Sequence, residues 1–221
     1  LQIPYNYGYL LGAGFNSYSE IINPLTPLCG YLVLLGYKLF GLNYVSGVII
    51  TAILAAAQVV LCAVLLAKAF GKKTGILFAV VLALPTLPVL GTLYYNNLVL
   101  SYFALLISVL FARLFYKNTN ILAGLTWAII TIAALTKLHI GVLFAAAVAV
   151  IELNFIMDES KTLAKKVFTK TVAERAAWCA AAPALGALLL MYWIKGDIKD
   201  FLWCITMPLP TTYLKLPLHN Y

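Results

Sequence analysis

The chain has 221 residues, of which 64% are hydrophobic and 10% charged, with a mean hydropathy of +0.98. Soluble domains carry about 25% charged residues, so this composition excludes an ordinary soluble domain and points to an all-α, polytopic integral membrane protein. The net charge of +8 has the sign of a nucleic-acid binder, but its placement follows membrane topology, and no nucleic-acid partner is expected.

Residues 1–43 read as an extracytoplasmic loop. Within it lies "SEIINPLTPLCGYLVLLGYKLFG", Ser19 to Gly41. The stretch 24–41 is short for a span, carries Pro24 and Pro27 at its head, and holds Lys38 near its end. It fits a helix lying in or dipping into the outer interface, with proline in its first turn. Six spans follow within 44–194, at about 44–70, 74–92, 97–116, 120–136, 138–157 and 176–194. Pro85 and Pro88 would bend the second, as prolines do in membrane helices. A charged loop, 158–175, separates the last two spans, and its Leu163, Val167 and Val172, near helical spacing, suit a segment lying along the anionic inner leaflet. Residues 195–221 read as the start of a further outer loop.

Lysine and arginine divide unevenly between the two sides. Lys68, Lys72, Lys73, Arg113, Lys117, Lys161, Lys165, Lys166, Lys170 and Arg175 fall on one side; Lys38, Lys137, Lys195, Lys199 and Lys215 fall on the other. Positive residues favour the cytoplasm, so the richer side is inside and the first span runs inward. That direction predicts a helix upstream of Leu1, and the chain reads as a piece of a longer protein.

Few residues have the chemistry of a site. Cys29, Cys62, Cys179 and Cys204 lack metal-binding spacing, so no metal or cofactor is expected on these grounds. Spacing alone does not pair Cys29 with Cys204. Of the seven acids, Asp158, Glu159 and Glu174 belong to the inner loop. Glu152 lies near the inner end of the fifth span, where it either reaches the interface or pairs with another helix. On the outer side only Glu20, Asp197 and Asp200 remain. Glu20 adjoins the Pro-containing turn, either as a capping loop acid or as a reactive carboxylate. Lys137 and His139, in "LTKLHIG", sit between two spans at the outer edge. They serve either as interfacial anchors or as cations for a lipid-linked phosphate, a strong charge-assisted acceptor. Tyr94, Tyr95, Asn96 and Asn97 form a third polar point on that side, suited to bonding a sugar hydroxyl or to ending a helix.

The pieces "EIINPLTPLCGYLVLLGYKLFG", "YYNN" and "ILAGLTWAIITIAALTKLHIG" occur in an order that resembles GT-C-type membrane glycosyltransferases, of the dolichyl-phosphate-mannose mannosyltransferase-like and aminoarabinose-transferase-like kind. The resemblance is best over roughly 1–160. It implies a GT-C-like helical bundle in a bacterial cytoplasmic membrane. It further implies transfer of a sugar from a polyprenyl-phosphate donor to a glycan, lipid or protein acceptor on the extracytoplasmic side. By position, Glu20 matches the acid before the family's Pro-Leu motif, the general base, and Lys137 matches the lysine of its "TK" motif, which would stabilise the departing phosphate. A family aspartate early in that loop has no counterpart here, since the first aspartate is Asp158. Two other functions remain open. A non-catalytic subunit of the same fold would lack an acid facing the outer pocket. A transporter or flippase would favour polar groups at mid-membrane and inverted repeats, whereas only Gln58 lies mid-span and no repeat is evident.

Overall fold

The computed structural model describes residues 3–16, 18, 26–83, 95–162, 165–195 and 198–206. Every element among them is a helix: α1 (Ile3–Gly12), α2 (Leu28–Phe40), α3 (Tyr44–Phe70), α4 (Lys72–Ala83), α5 (Tyr95–Phe115), α6 (Asn120–Thr136), α7 (Leu138–Thr162), α8 (Lys165–Trp193) and α9 (Ile198–Thr206). Four of them are long and apolar enough to cross a bilayer, through α3, Leu98–Phe115 of α5, Leu138–Asp158 of α7 and Thr169–Trp193 of α8. At 17 residues, α6 is about 26 Å long, the lower edge of a spanning length.

The polarity of the bundle is that of a membrane protein. Its exterior shows Val60, Leu143, Val150, Leu153, Leu185 and Leu188, while its interior holds Ser46, Thr51, Gln58, Ser108, Arg113, Thr126 and Glu152. Lipid tails solvate the first set, and the second needs partners inside the protein. Several hydroxyls find theirs one turn back along their own helix. Thr51, Ser108, Thr131 and Thr136 donate to the carbonyls of Gly47, Ala104, Trp127 and Ile132 at 2.8–2.9 Å.

The helices alternate in direction. Two glycines close the tight connections, Gly41 (φ 87°) between α2 and α3 and Gly71 (φ 84°) between α3 and α4. Both adopt a backbone conformation that side chains disfavour. Asn43 then caps α3, its side-chain oxygen accepting from Ser46 N at 2.9 Å, and Thr119 caps α6 by accepting from Leu122 N. The ends of α3 and α5 meet through Phe70, Phe111 and Phe115, with ring centroids 5.2–6.0 Å apart. The core between α3, α5, α6 and α7 is filled by Leu65, Leu106, Val109, Ile129, Ile130 and Val148. The connections α3–α4, α5–α6 and α7–α8 share one end of the bundle, here the basic end, which carries Lys68, Lys72, Lys73 and Lys117.

At the opposite end α2 runs antiparallel to the first half of α3 and buries Cys29, Gly30, Val33 and Gly36. Its start reaches inward to Leu98 and Tyr102 of α5, and Tyr31 stacks on Trp193 of α8 at 4.6 Å. Behind it, α9 covers Tyr18 with Phe201 and Cys204. That burial pushes the Tyr18 phenol far above its ordinary range.

The structure departs from the sequence reading in three places. First, 158–175 is not a loop, because α7 continues to Thr162 and α8 starts at Lys165. A helix satisfies its own backbone whatever its side chains, so charge did not end either one. Second, residues 1–43 contain α1 besides the expected helix, and 195–221 contain α9. Both are short; α1 is anchored by Tyr5 stacking on Tyr44 and α9 by Phe201 packed edge-on against Tyr18. Third, the "YYNN" stretch does not lie wholly in a loop, since Tyr95, Asn96 and Asn97 form the start of α5. Helix α4 begins at Lys72 and is described to Ala83; the bend expected at Pro85 and Pro88 lies outside the described residues. Cys29 and Cys204 are buried free thiols, not a disulfide.

Candidate functional site

The opposite end brings together α2, α6, α7 and α8. Both α7 and α8 pack along α6 but scarcely touch one another, which leaves a trough over α6. Its volume is about 240 Å³, and its walls include Trp127, Thr131 and Leu135 of α6, Leu138, Gly141 and Ala145 of α7, and Pro183, Gly186 and Ala187 of α8. Two sequence features open it. Gly186 lies against the Thr131 methyl, where a Cβ would not fit, so α8 approaches α6 closely there. Pro183, inside α8, removes the donor that would pair with the Cys179 carbonyl.

The trough is apolar apart from the hydroxyls of Thr26 and Thr131 and the indole of Trp127. Thr26, just ahead of α2, is 2% exposed and lines the trough, and among the described residues its hydroxyl has no hydrogen-bond partner. A buried hydroxyl left unsatisfied costs about 1–3 kcal/mol, so the site is primed for a polar atom of whatever fills it. Thr26 lay unremarked inside the "PLTPL" motif; only burial marks it out.

Lys137 stands between two trough residues, Leu135 and Leu138. It leaves the helical conformation (φ −157°, ψ 98°), donates its N–H to the Ala133 carbonyl at 2.7 Å, and offers its own carbonyl to Ile140 and Gly141 at 3.1 and 3.2 Å. Its backbone therefore ends α6 and starts α7, which sets a half-buried lysine between two residues that line the trough. His139 is exposed on the first turn of α7. Tyr95, Asn96 and Asn97 begin the helix that carries Tyr102, whose hydroxyl lies 3.5 Å from Thr136 Oγ1 beside Lys137. Glu20 and Tyr94 lie outside the described residues. Among the described residues no cluster of His, Cys, Asp or Glu could hold a metal ion.

A second polar centre lies near the basic end and was only half legible. Glu152 pairs with Arg113, 39 residues away, through a bidentate contact: NH1 to Oε1 at 2.5 Å and NH2 to Oε2 at 2.8 Å. The same guanidinium donates to Asn118 Oδ1 at 3.0 Å and Thr126 Oγ1 at 3.2 Å and lies over the Phe155 ring at 4.8 Å. The pair joins α5, α6 and α7. Every group in it is spent on another, so its chemistry is that of a clamp rather than of a reactive site.

No protein-family model matches the chain, and neither a curated protein nor a solved structure matches it.

Proposed function

We propose that the chain is membrane machinery of a glycosyltransferase that moves a sugar from a polyprenyl-phosphate donor to an acceptor on the extracytoplasmic side of a bacterial cytoplasmic membrane, within a GT-C-like bundle. The observation that carries this reading is the apolar trough over α6, lined by Thr26, Leu135 and Leu138, the last two flanking Lys137 in the chain. A lipid-linked phosphate needs an apolar trough for its chain and, at headgroup level, a cation and a hydroxyl for its oxygens. Helix α2 would lie in the outer part of the membrane and roof that headgroup. Glu20 would draw the acceptor proton, Lys137 and His139 would hold the phosphate, and Tyr94 to Asn97 would approach the sugar.

Donor binding tests this without knowledge of the sugar. With the full chain in lipid nanodiscs, polyprenyl phosphate should bind more tightly than the matching polyprenol. Lys137→Ala should weaken phosphate binding roughly ten- to a hundredfold, the loss of one charge-assisted hydrogen bond. Ala187→Phe, which fills the trough from an exposed wall position, should weaken both lipids alike. Equal binding of phosphate and alcohol, untouched by either variant, would return Lys137 to an anchoring role.

Sidedness follows from the positive-inside rule. A cysteine at Lys199 should react with an impermeant reagent added outside intact cells, and a cysteine at Lys166 should not. The reverse pattern would put the trough's mouth in the cytoplasm and sink the proposal.

A further inference from the structure

A second concavity lies at the same end of the bundle, where α1 meets the α2–α3 turn. It encloses about 430 Å³ and is lined by Tyr5, Asn6, Tyr9, Tyr37, Asn43 and Tyr44, with Leu42 on its rim. The size is that of a small-ligand pocket. Four phenol rings and two carboxamides make it aromatic and hydrogen-bonding, and among the described residues no charged side chain lines it. We infer that this pocket binds a neutral pyranoside, as the acceptor site of the proposed transfer reaction.

The chemistry selects the ligand class. A pyranose presents C–H groups on its faces and hydroxyls on its rim. Aromatic faces carry negative charge density that attracts such C–H groups, and amides and phenols both donate to and accept from hydroxyls. An anionic headgroup would find no cation among the lining residues. A quaternary ammonium would seek several open ring faces, but Tyr5 and Tyr44 stack on each other at 5.1 Å and 28°, which uses one face of each. The frame is rigid where rigidity counts. Tyr37 donates to the Tyr5 carbonyl at 3.5 Å, and Asn43 is held by its capping contacts with Ser46. Asn6 and Tyr9 are exposed on α1, so they are free of packing duty and open to a ligand.

The acceptor role rests on the transfer reading; the binding itself does not, and it can be measured with no donor present. Saturation-transfer NMR on the full chain in nanodiscs would use methyl β-D-glucopyranoside, methyl α-D-mannopyranoside and phosphocholine as probes. Ring protons of at least one glycoside should receive saturation. Asn6→Ala and Tyr9→Ala should each weaken that glycoside about tenfold, as expected for one or two lost contacts, with helicity by circular dichroism unchanged. No glycoside signal, a signal indifferent to both variants, or saturation of phosphocholine instead would overturn the inference. A chain that binds glycosides here but transfers no sugar would defeat the transfer reading and leave the pocket standing. Transfer without binding here would defeat the pocket alone.

Discussion

Arg113→Met should destabilise the bundle by about 3–5 kcal/mol, the usual result of stripping one partner from a buried ion pair. The arginine side chain is fully buried and that of Glu152 only 10% exposed, so the substitution leaves a carboxylate in the interior without its bidentate partner. Thr126 and Asn118 lose their donor in the same step. In detergent, thermal unfolding should begin on the order of 10 °C lower. The double variant Arg113→Met, Glu152→Leu should recover most of that loss, because an apolar pair of similar volume needs no compensation in a low-dielectric interior. If the single variant melts with the parent, the clamp carries no stability. If the double variant is worse than the single, the pair has a role beyond joining α5, α6 and α7.

Glu20→Gln should lower sugar transfer about 10²–10⁴-fold, the contribution expected of a general base. Glutamine keeps the size and polarity of the side chain but takes up no proton from the acceptor hydroxyl. Polyprenyl-phosphate binding should be unchanged, because the phosphate is assigned to Lys137 and the trough. A Glu20 that only caps the following helix would give the opposite pattern, lower thermal stability with full transfer by the folded fraction. The variant and the parent are to be compared in the full-length protein, with transfer and melting measured on the same sample. Parent-level transfer would move the base to another acid.

The sequence by itself determined the material of this protein. Apolar runs such as 44–70 and 138–157 became helices α3 and α7 close to where hydropathy puts them, because an uninterrupted run of Leu, Val, Ile and Ala has no better way to satisfy its backbone in lipid. Its polar breaks were less reliable guides. "YYNN" suits the end of a helix, yet its last three residues begin α5, and the lysines of 158–175 suit a loop, yet those described ride on two helices. Charge marks where a helix leaves the bilayer, not where it stops.

Tertiary structure alone decided the sites. Glu152 was legible as a buried or snorkelling acid, but its partner Arg113 lies 39 residues away, and no local pattern specifies such a meeting. Lys137 was legible as a cation between two spans, but the trough lined by its neighbours Leu135 and Leu138 was not. That trough exists because Gly186 lets α8 close on α6 while α7 and α8 stay apart. Thr26 gained its interest only from being buried without a partner, and the tyrosine pocket only from α1 folding onto the α2–α3 turn. Hydropathy is a property of each residue and can be summed along the chain. A cavity is a property of gaps between helices, which depend on small residues and crossing points that the one-dimensional pattern does not encode.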